Sequence, residues 1–272
     1  MEPVSVSGLG RIDRERLSSL LRGTKGTISV KDASNILSVS AVDAAKMLAR
    51  WRKNGWLSRV RRGLYIPVPL ESRTADVSLE DPWIIADRLF APCYIGGWSA
   101  AEHWGLTEQM FRTVVTMTTQ KPRDRSPNIK GTKFLLRTVM SSAMFGLKPV
   151  WRGKVKVSVS DPTRTVLDML DAPHLGGGLR STSDILISYL RSDNKNTKQL
   201  LEYAERLDNG AVFKRLGFLL ERFAAEETEL IDQCQSRLTK GNSKVDPSLT
   251  ADRLITRWRL WVPENWAKGT PK

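Results

Sequence analysis

Six cations in the first quarter of the chain have the types and spacing to do one kind of chemistry. Lys46, Arg50 and Lys53 recur at steps of four and three, which on a helix lines them along one face beside Ser40 and Met47. Arg59, Arg61 and Arg62 follow at an Arg-Arg-Gly tip, flanked by apolar Leu57, Val60, Leu64 and Ile66. Ammonium and guanidinium groups held this way neutralise phosphates. A cationic helix face next to a cationic turn suits the groove and backbone of double-stranded DNA.

Residues for bond-breaking chemistry are scarcer. His103 and His174 are the two histidines, with no cysteine or carboxylate partners at zinc spacing. No Ser or Cys nucleophile elbow is recognisable. A metal-dependent nuclease would draw on Asp161 and Asp168, but Asp161 precedes Pro162 as a helix cap, and Arg164 stands four residues before Asp168, at ion-pairing distance. Gly176-Gly177-Gly178 matches neither the dinucleotide nor the P-loop spacing and follows a helical pattern, so it reads as a hinge. The expectation is a non-enzymatic chain with no catalytic residue, no metal and no cofactor. A nuclease delivered to nucleic acid by the N-terminal module is the alternative, and a protein-docking platform is a third reading.

The cations need elements to position them. Arg14 to Leu21 forms an amphipathic helix, with Ile12, Leu17, Leu20 and Leu21 on one side, ending near Gly23. Thr27 to Ser29 is a brief extended segment, and Val30 to Leu37 is a second helix in which Ala33, Ile36 and Leu37 share a face. Ser40-Ala41-Val42-Asp43 opens a third helix: the hydroxyl accepts from the N–H three residues on, and the carboxylate sits near the positive end of the dipole. It runs to Lys53 and stops at Asn54-Gly55, with Val42, Ala45, Leu48, Ala49 and Trp51 expected on its buried face. Trp56 to Ile66 is then a hairpin with a basic turn. Helix, helix, turn, basic helix and basic hairpin is the order of a winged helix-turn-helix. Its third helix would face the major groove, and Arg59, Arg61 and Arg62 would reach phosphates or the adjacent minor groove.

Charge distribution supports this partition. The 272 residues carry a net +14, of which residues 1–66 hold +8 and the segments 67–172 and 173–272 hold +3 each. An excess of this size concerns partners more than fold, and its concentration marks a basic module on a nearly balanced body. With 40% hydrophobic residues and only Cys93 and Cys234, the chain is neither disordered nor a disulfide scaffold. The longest charge-free apolar stretch, Leu89 to Ala101, is too short to span a bilayer and contains Pro92, Gly96 and Gly97. Met1 to Gly10 lacks the pattern of a secretory signal, so a reducing cytoplasm is expected.

Pro67-Val68-Pro69 stiffens the exit from this module and sets the expected boundary near residue 70: residues 1–70 for DNA binding and 71–272 for a larger body. In the body, strands are expected at Thr113 to Thr118, Lys133 to Val139 and Val155 to Val159, so that 71–160 contains the sheet. Tyr94 to Trp98 reads as a tight connection, and Lys121 to Pro127 as a solvated basic turn. From Asp161 onward helices dominate: Pro162 to Leu170, Ser183 to Arg191, Thr197 to Leu207, Ala211 to Ala225 and Glu226 to Leu238. In the fourth of these Val212, Phe213, Leu216, Leu219 and Leu220 form the buried stripe, with Lys214 and Arg215 expected outside. The tail interleaves arginines with Trp258 and Trp261, and Leu254, Ile255 and both indoles are expected to dock on the body. The fold class is α+β.

Four segments in order carry a resemblance: Gly55 to Tyr65, Gly97-Trp98-Ser99-Ala100-Ala101-Glu102-His103-Trp104-Gly105-Leu106, Asp161 to Asp168, and Lys214-Arg215-Leu216-Gly217. Together they are similar to the AbiEi-type antitoxins, over residues 12–225. The resemblance implies an autorepressor that binds inverted repeats in its promoter and neutralises a cognate nucleotidyltransferase-like toxin through its C-terminal body. It also implies that Lys46, Arg50, Lys53, Arg59, Arg61 and Arg62 correspond to the family's DNA-contacting positions. A general transcriptional regulator unrelated to a toxin is the competing reading of the same module.

Overall fold

The computed structural model describes residues 8–69, 79 and 81–267. Two compact units result. One runs through Leu89 and takes in Ser126–Phe134 and Trp151–Lys156; the other comprises Phe90–Arg125, Leu135–Val150 and the chain from Val157. The boundary expected near residue 70 falls where residues outside the described set begin. The architecture is α+β, and among the described residues no helix is long and apolar enough to cross a membrane.

In the first unit the chain forms α1 (Arg11–Gly23), β1 (Ile28–Ser29), α2 (Val30–Leu37), α3 (Ala41–Lys53), β2 (Leu57–Arg61), β3 (Leu64–Pro67) and α4 (Pro82–Phe90). The three strands pair antiparallel in the order β1-β3-β2. Local chemistry explains the helix starts. Ser29 Oγ accepts from Asp32 N–H at 3.0 Å while Asp32 accepts from Ser29 N–H at 2.9 Å, a reciprocal cap for α2. Ser38 ends α2 in the left-handed region, and Ser40 caps α3 by accepting from Asp43 N–H at 3.1 Å. Leu17, Leu20, Ile28, Ala33, Leu48, Trp51, Leu57 and Tyr65 form one core between helices and sheet. Each large side chain there contributes about 1.5–3 kcal/mol by leaving water. Two residues expected in α1's apolar face, Ile12 and Leu21, are instead exposed.

The chain continues with β4 (Cys93–Ile95), α5 (Gly97–His103) and β5 (Thr113–Thr118) of the second unit, followed by β6 (Asn128–Ile129) of the first and then β7 (Thr132–Thr138), β8 (Leu147–Arg152) and β9 (Val155–Ser160). The six strands order as β6-β7-β5-β4-β9-β8. The segment read as a tight connection at Tyr94-Ile95 is in fact an inner strand, antiparallel to β5 and parallel to β9, too short to show alternation. Next come α6 (Pro162–Asp171), α7 (Leu179–Arg191), α8 (Thr197–Arg206), α9 (Gly210–Phe223) and α10 (Thr228–Ser236). Helix α6 is the hub: Pro162 to Leu170 are buried without a break, and α5, α7, α8 and α9 all pack on it. The stretch 161–272 is not helical throughout, because β10 (Ser243–Lys244), β11 (Arg253–Ile255) and β12 (Leu260–Val262) form a small sheet before α11 (Glu264–Ala267). Trp258, between β11 and β12, is fully buried, whereas Leu254 and Trp261 keep much of their surface exposed.

Lys214 and Arg215 are buried too, contrary to the expectation that they face solvent. Arg215 donates through Nη1 to the carbonyls of Leu170 at 2.8 Å and Asp171 at 3.1 Å, and through Nη2 to Lys244 O at 2.9 Å. Lys214 Nζ donates to Gly241 O at 2.9 Å. The two cations tie the end of α6 and the C-terminal sheet to α9. Burial overrides the polar pattern because backbone carbonyls satisfy the charges.

Candidate nucleic-acid interface

The cations singled out in the sequence lie on α3 and on the β2–β3 hairpin. Helix α3 is held from below by Ala44, Met47, Leu48 and Trp51, all buried. This stripe is displaced from the one expected. Val42 is 62% exposed and Ala49 is also exposed, while Ala44 and Met47, the latter expected beside the cations, take inner positions. Both faces of α3 offer apolar residues, so residue type alone did not choose between them. The outward face therefore presents Val42, Lys46, Ala49, Arg50 and Lys53.

These positions are not equivalent. Arg50 Nη2 lies 2.7 Å from Asp13 Oδ1 of α1, so its charge is already partnered, although its side chain remains 53% exposed. Ser40 Oγ is engaged as the α3 cap and also donates to Asp43 Oδ2 at 2.7 Å. Among the described residues no hydrogen bond or ion pair engages Lys46 or Lys53, and both are exposed. The hairpin follows the same rule. Arg59, Arg61 and Arg62 are exposed and carry no such partner.

Two features fix the hairpin tip. Gly63, at φ +76°, makes the turn, and its carbonyl accepts from Val30 N–H at 3.2 Å, which ties the tip to the start of α2. A register irregularity between Arg59 and Arg61 interrupts the β2–β3 ladder beside the tip, the kind of bulge that re-aims side chains. Arg52 of α3 is likewise exposed and unengaged, so among the described residues six cations stand without partners on two adjoining elements, with an exposed valine in the first turn of the helix. That exposure was missed in the sequence because an apolar residue in an amphipathic helix is assigned to the core by default.

The remaining sequence candidates are structural. Asp161 Oδ1 caps α6 by accepting from Arg164 N–H at 2.7 Å. Arg164, only 1% exposed, donates through Nε to Asp168 Oδ1 at 2.8 Å and through Nη2 to Tyr94 Oη at 2.9 Å, and its guanidinium lies 4.2 Å from the Phe145 ring centroid. Burial pushes the Asp168 carboxyl up, and the Arg164 charge opposes that rise. Among the described residues no three His, Cys, Asp or Glu side chains group to hold a metal ion. Cys234 is buried, which pushes its thiol up to about 12 and keeps it protonated at neutral pH. His103 and His174 sit apart, on α5 and in the turn after α6.

No curated protein matches the chain. A family model does match over residues 15–68, and the family is described as transcriptional regulator, AbiEi antitoxin. That stretch runs from within α1 to just past β3. The whole cationic surface built above therefore lies in the part of the chain that is similar to the AbiEi antitoxin regulators, a DNA-binding family of toxin–antitoxin systems.

Proposed function

We propose that this protein is a DNA-binding antitoxin that represses its own toxin–antitoxin operon by binding inverted repeats in the promoter. Residues 1–70 act as a winged helix-turn-helix and residues 71–272 as the antitoxin domain, which neutralises a cognate nucleotidyltransferase-like toxin. One observation carries the reading: Lys46, Lys53, Arg59, Arg61 and Arg62 are exposed and have no partner among the described residues, within the stretch that matches the regulator family. Charges left without carboxylates on two adjoining elements cost little in water and gain counterion release on meeting phosphates.

In this reading α3 enters the major groove. Lys46 and Lys53 contact phosphates or base edges, and Arg50 joins once it leaves Asp13. Ser40 orients the helix start, and the β2–β3 hairpin is the wing, with Arg59, Arg61 and Arg62 on the backbone. Titrating a duplex carrying the upstream region of the gene, over a range of salt, tests this. Arg61→Ala with Arg62→Ala is expected to reduce the log–log salt slope by about two and leave the melting temperature unchanged. An unchanged slope and affinity would remove the wing assignment. The antitoxin half is tested separately, by co-expression with the neighbouring gene product: the same double variant should lose repression yet still protect cells from the toxin.

A further inference from the structure

The first unit includes a piece of chain far from α3 in sequence: the tip of the β8–β9 hairpin, Trp151 to Lys156. From Leu147 to Lys156 the sequence holds Lys148, Arg152, Lys154 and Lys156 and no acidic residue. Lys154 and Lys156 are exposed. Trp151 is 62% exposed, a large apolar surface to leave in water, and Lys156 Nζ lies 5.0 Å from its ring centroid.

Helix α4 clamps this tip to the helical module from both of its ends. At its start, Asp81 Oδ2 meets Arg152 Nε at 2.8 Å, and the Arg152 guanidinium stacks 4.5 Å from the Trp83 ring centroid. At its other end, Arg88 donates to Thr27 Oγ1 at 3.1 Å and pairs with Asp32, the capping residue of α2, at 3.4 Å. Val155 and the α1–β1 turn residues Gly23, Thr24 and Lys25 line one shared groove of about 350 Å³. The tip is thus fixed beside the turn that leads into α2. Arg152 is consumed in holding it there, while Lys154, Lys156 and the indole are left facing outward with exposed Lys25 and Lys31 on the neighbouring element.

We propose that this hairpin tip is a second duplex-DNA contact, in which Lys154 and Lys156 bind backbone phosphates and Trp151 packs on the sugar edge. It lengthens the footprint beyond that of α3 and the β2–β3 hairpin. Charge complementarity selects the partner: an acid-free cationic turn, pre-positioned by two ion pairs on the unit that already presents the cationic helix, suits a polyanion that continues past the first contact. The proposal rests on the DNA-binding reading above.

The test uses the full chain, the duplex upstream of its gene, and two double variants measured side by side. Lys154→Ala with Lys156→Ala should lower the salt slope by about two, weaken binding roughly tenfold at moderate salt, and shorten hydroxyl-radical protection at the outer edge of the footprint, with an unchanged melting temperature. Trp151→Ala should weaken binding severalfold and leave the slope as it was, since it removes no charge. If the lysine variant keeps slope and footprint while Arg61→Ala with Arg62→Ala lowers the slope, the tip is off the DNA and this proposal alone falls. If neither variant changes binding, the tip contact and the wing assignment fall together; if no duplex is bound at low salt, the DNA-binding reading falls with them. Loss of toxin neutralisation with DNA binding intact would make the tip a protein contact and overturn the proposal as well.

Discussion

The same residue types are put to opposite uses in the two units. On α3 and the β2–β3 hairpin, six cations stand exposed without partners among the described residues. In the second unit Arg164, Lys214 and Arg215 are all but sealed from solvent and spend their donors on a carboxylate, a phenol and the carbonyls that end helices and strands. A net charge therefore says little until each cation's surroundings are known. Exposed cations set the affinity and salt dependence for a partner, whereas buried ones act on stability. Substitutions should separate cleanly along this line.

The largest expected effect is in the body. Arg164→Ala removes the ion-pair partner of Asp168, whose Oδ2 is already without a hydrogen bond. Breaking a buried pair by deleting one partner costs about 3–5 kcal/mol, and denaturant unfolding should show a loss of that order. Any duplex-bound protein that remains folded should retain the wild-type salt slope. A reduced slope would mean that a buried cation reports on DNA after all. Gly217→Ala comes next. A Cβ built at Gly217 would overlap the six-membered ring of Trp258, so α9 and the C-terminal sheet would have to part. The expected destabilisation is about 1–3 kcal/mol by overpacking, again read by denaturant, and a wild-type unfolding midpoint would refute the close approach.

Much of the first unit was legible in the sequence, and the reason is physical. Short-range signals write its elements: Ser40 and Asp43 cap α3, Asn54-Gly55 ends it, and Arg61-Arg62-Gly63 makes the turn, each within a few residues of its effect. Asp161-Pro162 announced α6 in the same way. Burial was harder to read. Lys214 and Arg215 find carbonyls in segments about 30 to 45 positions away, which no local pattern encodes. β10 to β12 are two or three residues each, shorter than one period of alternation can reveal. The clamp on α4 was invisible for a similar reason: Asp81 and Arg152 are 71 residues apart and each looks like an ordinary surface charge.

Within the N-terminal surface, Arg50 is the intermediate case that sharpens the contrast. It is exposed like its neighbours but paired, at 2.7 Å, with Asp13. An exposed pair of this kind contributes about 0–1 kcal/mol, little enough for a phosphate to displace. Asp13→Asn should therefore leave stability nearly unchanged, raise affinity for the duplex a few-fold, and steepen the log–log salt slope by up to about one as Arg50 becomes available. A wild-type slope in that variant would show that Arg50 already contacts DNA despite Asp13, or does not contact it at all.

The smallest effect is the most specific. Val42 sits in the first turn of α3 with 62% of its surface exposed, and nothing in the core needs it. A β-branched side chain lowers helix propensity by up to about 0.7 kcal/mol relative to alanine, so on stability grounds alanine would serve better. If α3 lies in the major groove, Val42 supplies what its cationic neighbours lack, an apolar surface for the C5-methyl of a thymine. The two roles predict opposite signs for one substitution. Val42→Ala should hold or slightly raise the unfolding free energy, yet lose about 1 kcal/mol of preference for thymine at one position of each half-site, measured by comparing duplexes with thymine and uracil there. Phosphate-directed cations cannot make that distinction, since uracil leaves the backbone and the charge unchanged. Equal affinity of wild-type protein for the two duplexes would return Val42 to the ranks of ordinary exposed residues and leave α3 a purely electrostatic contact.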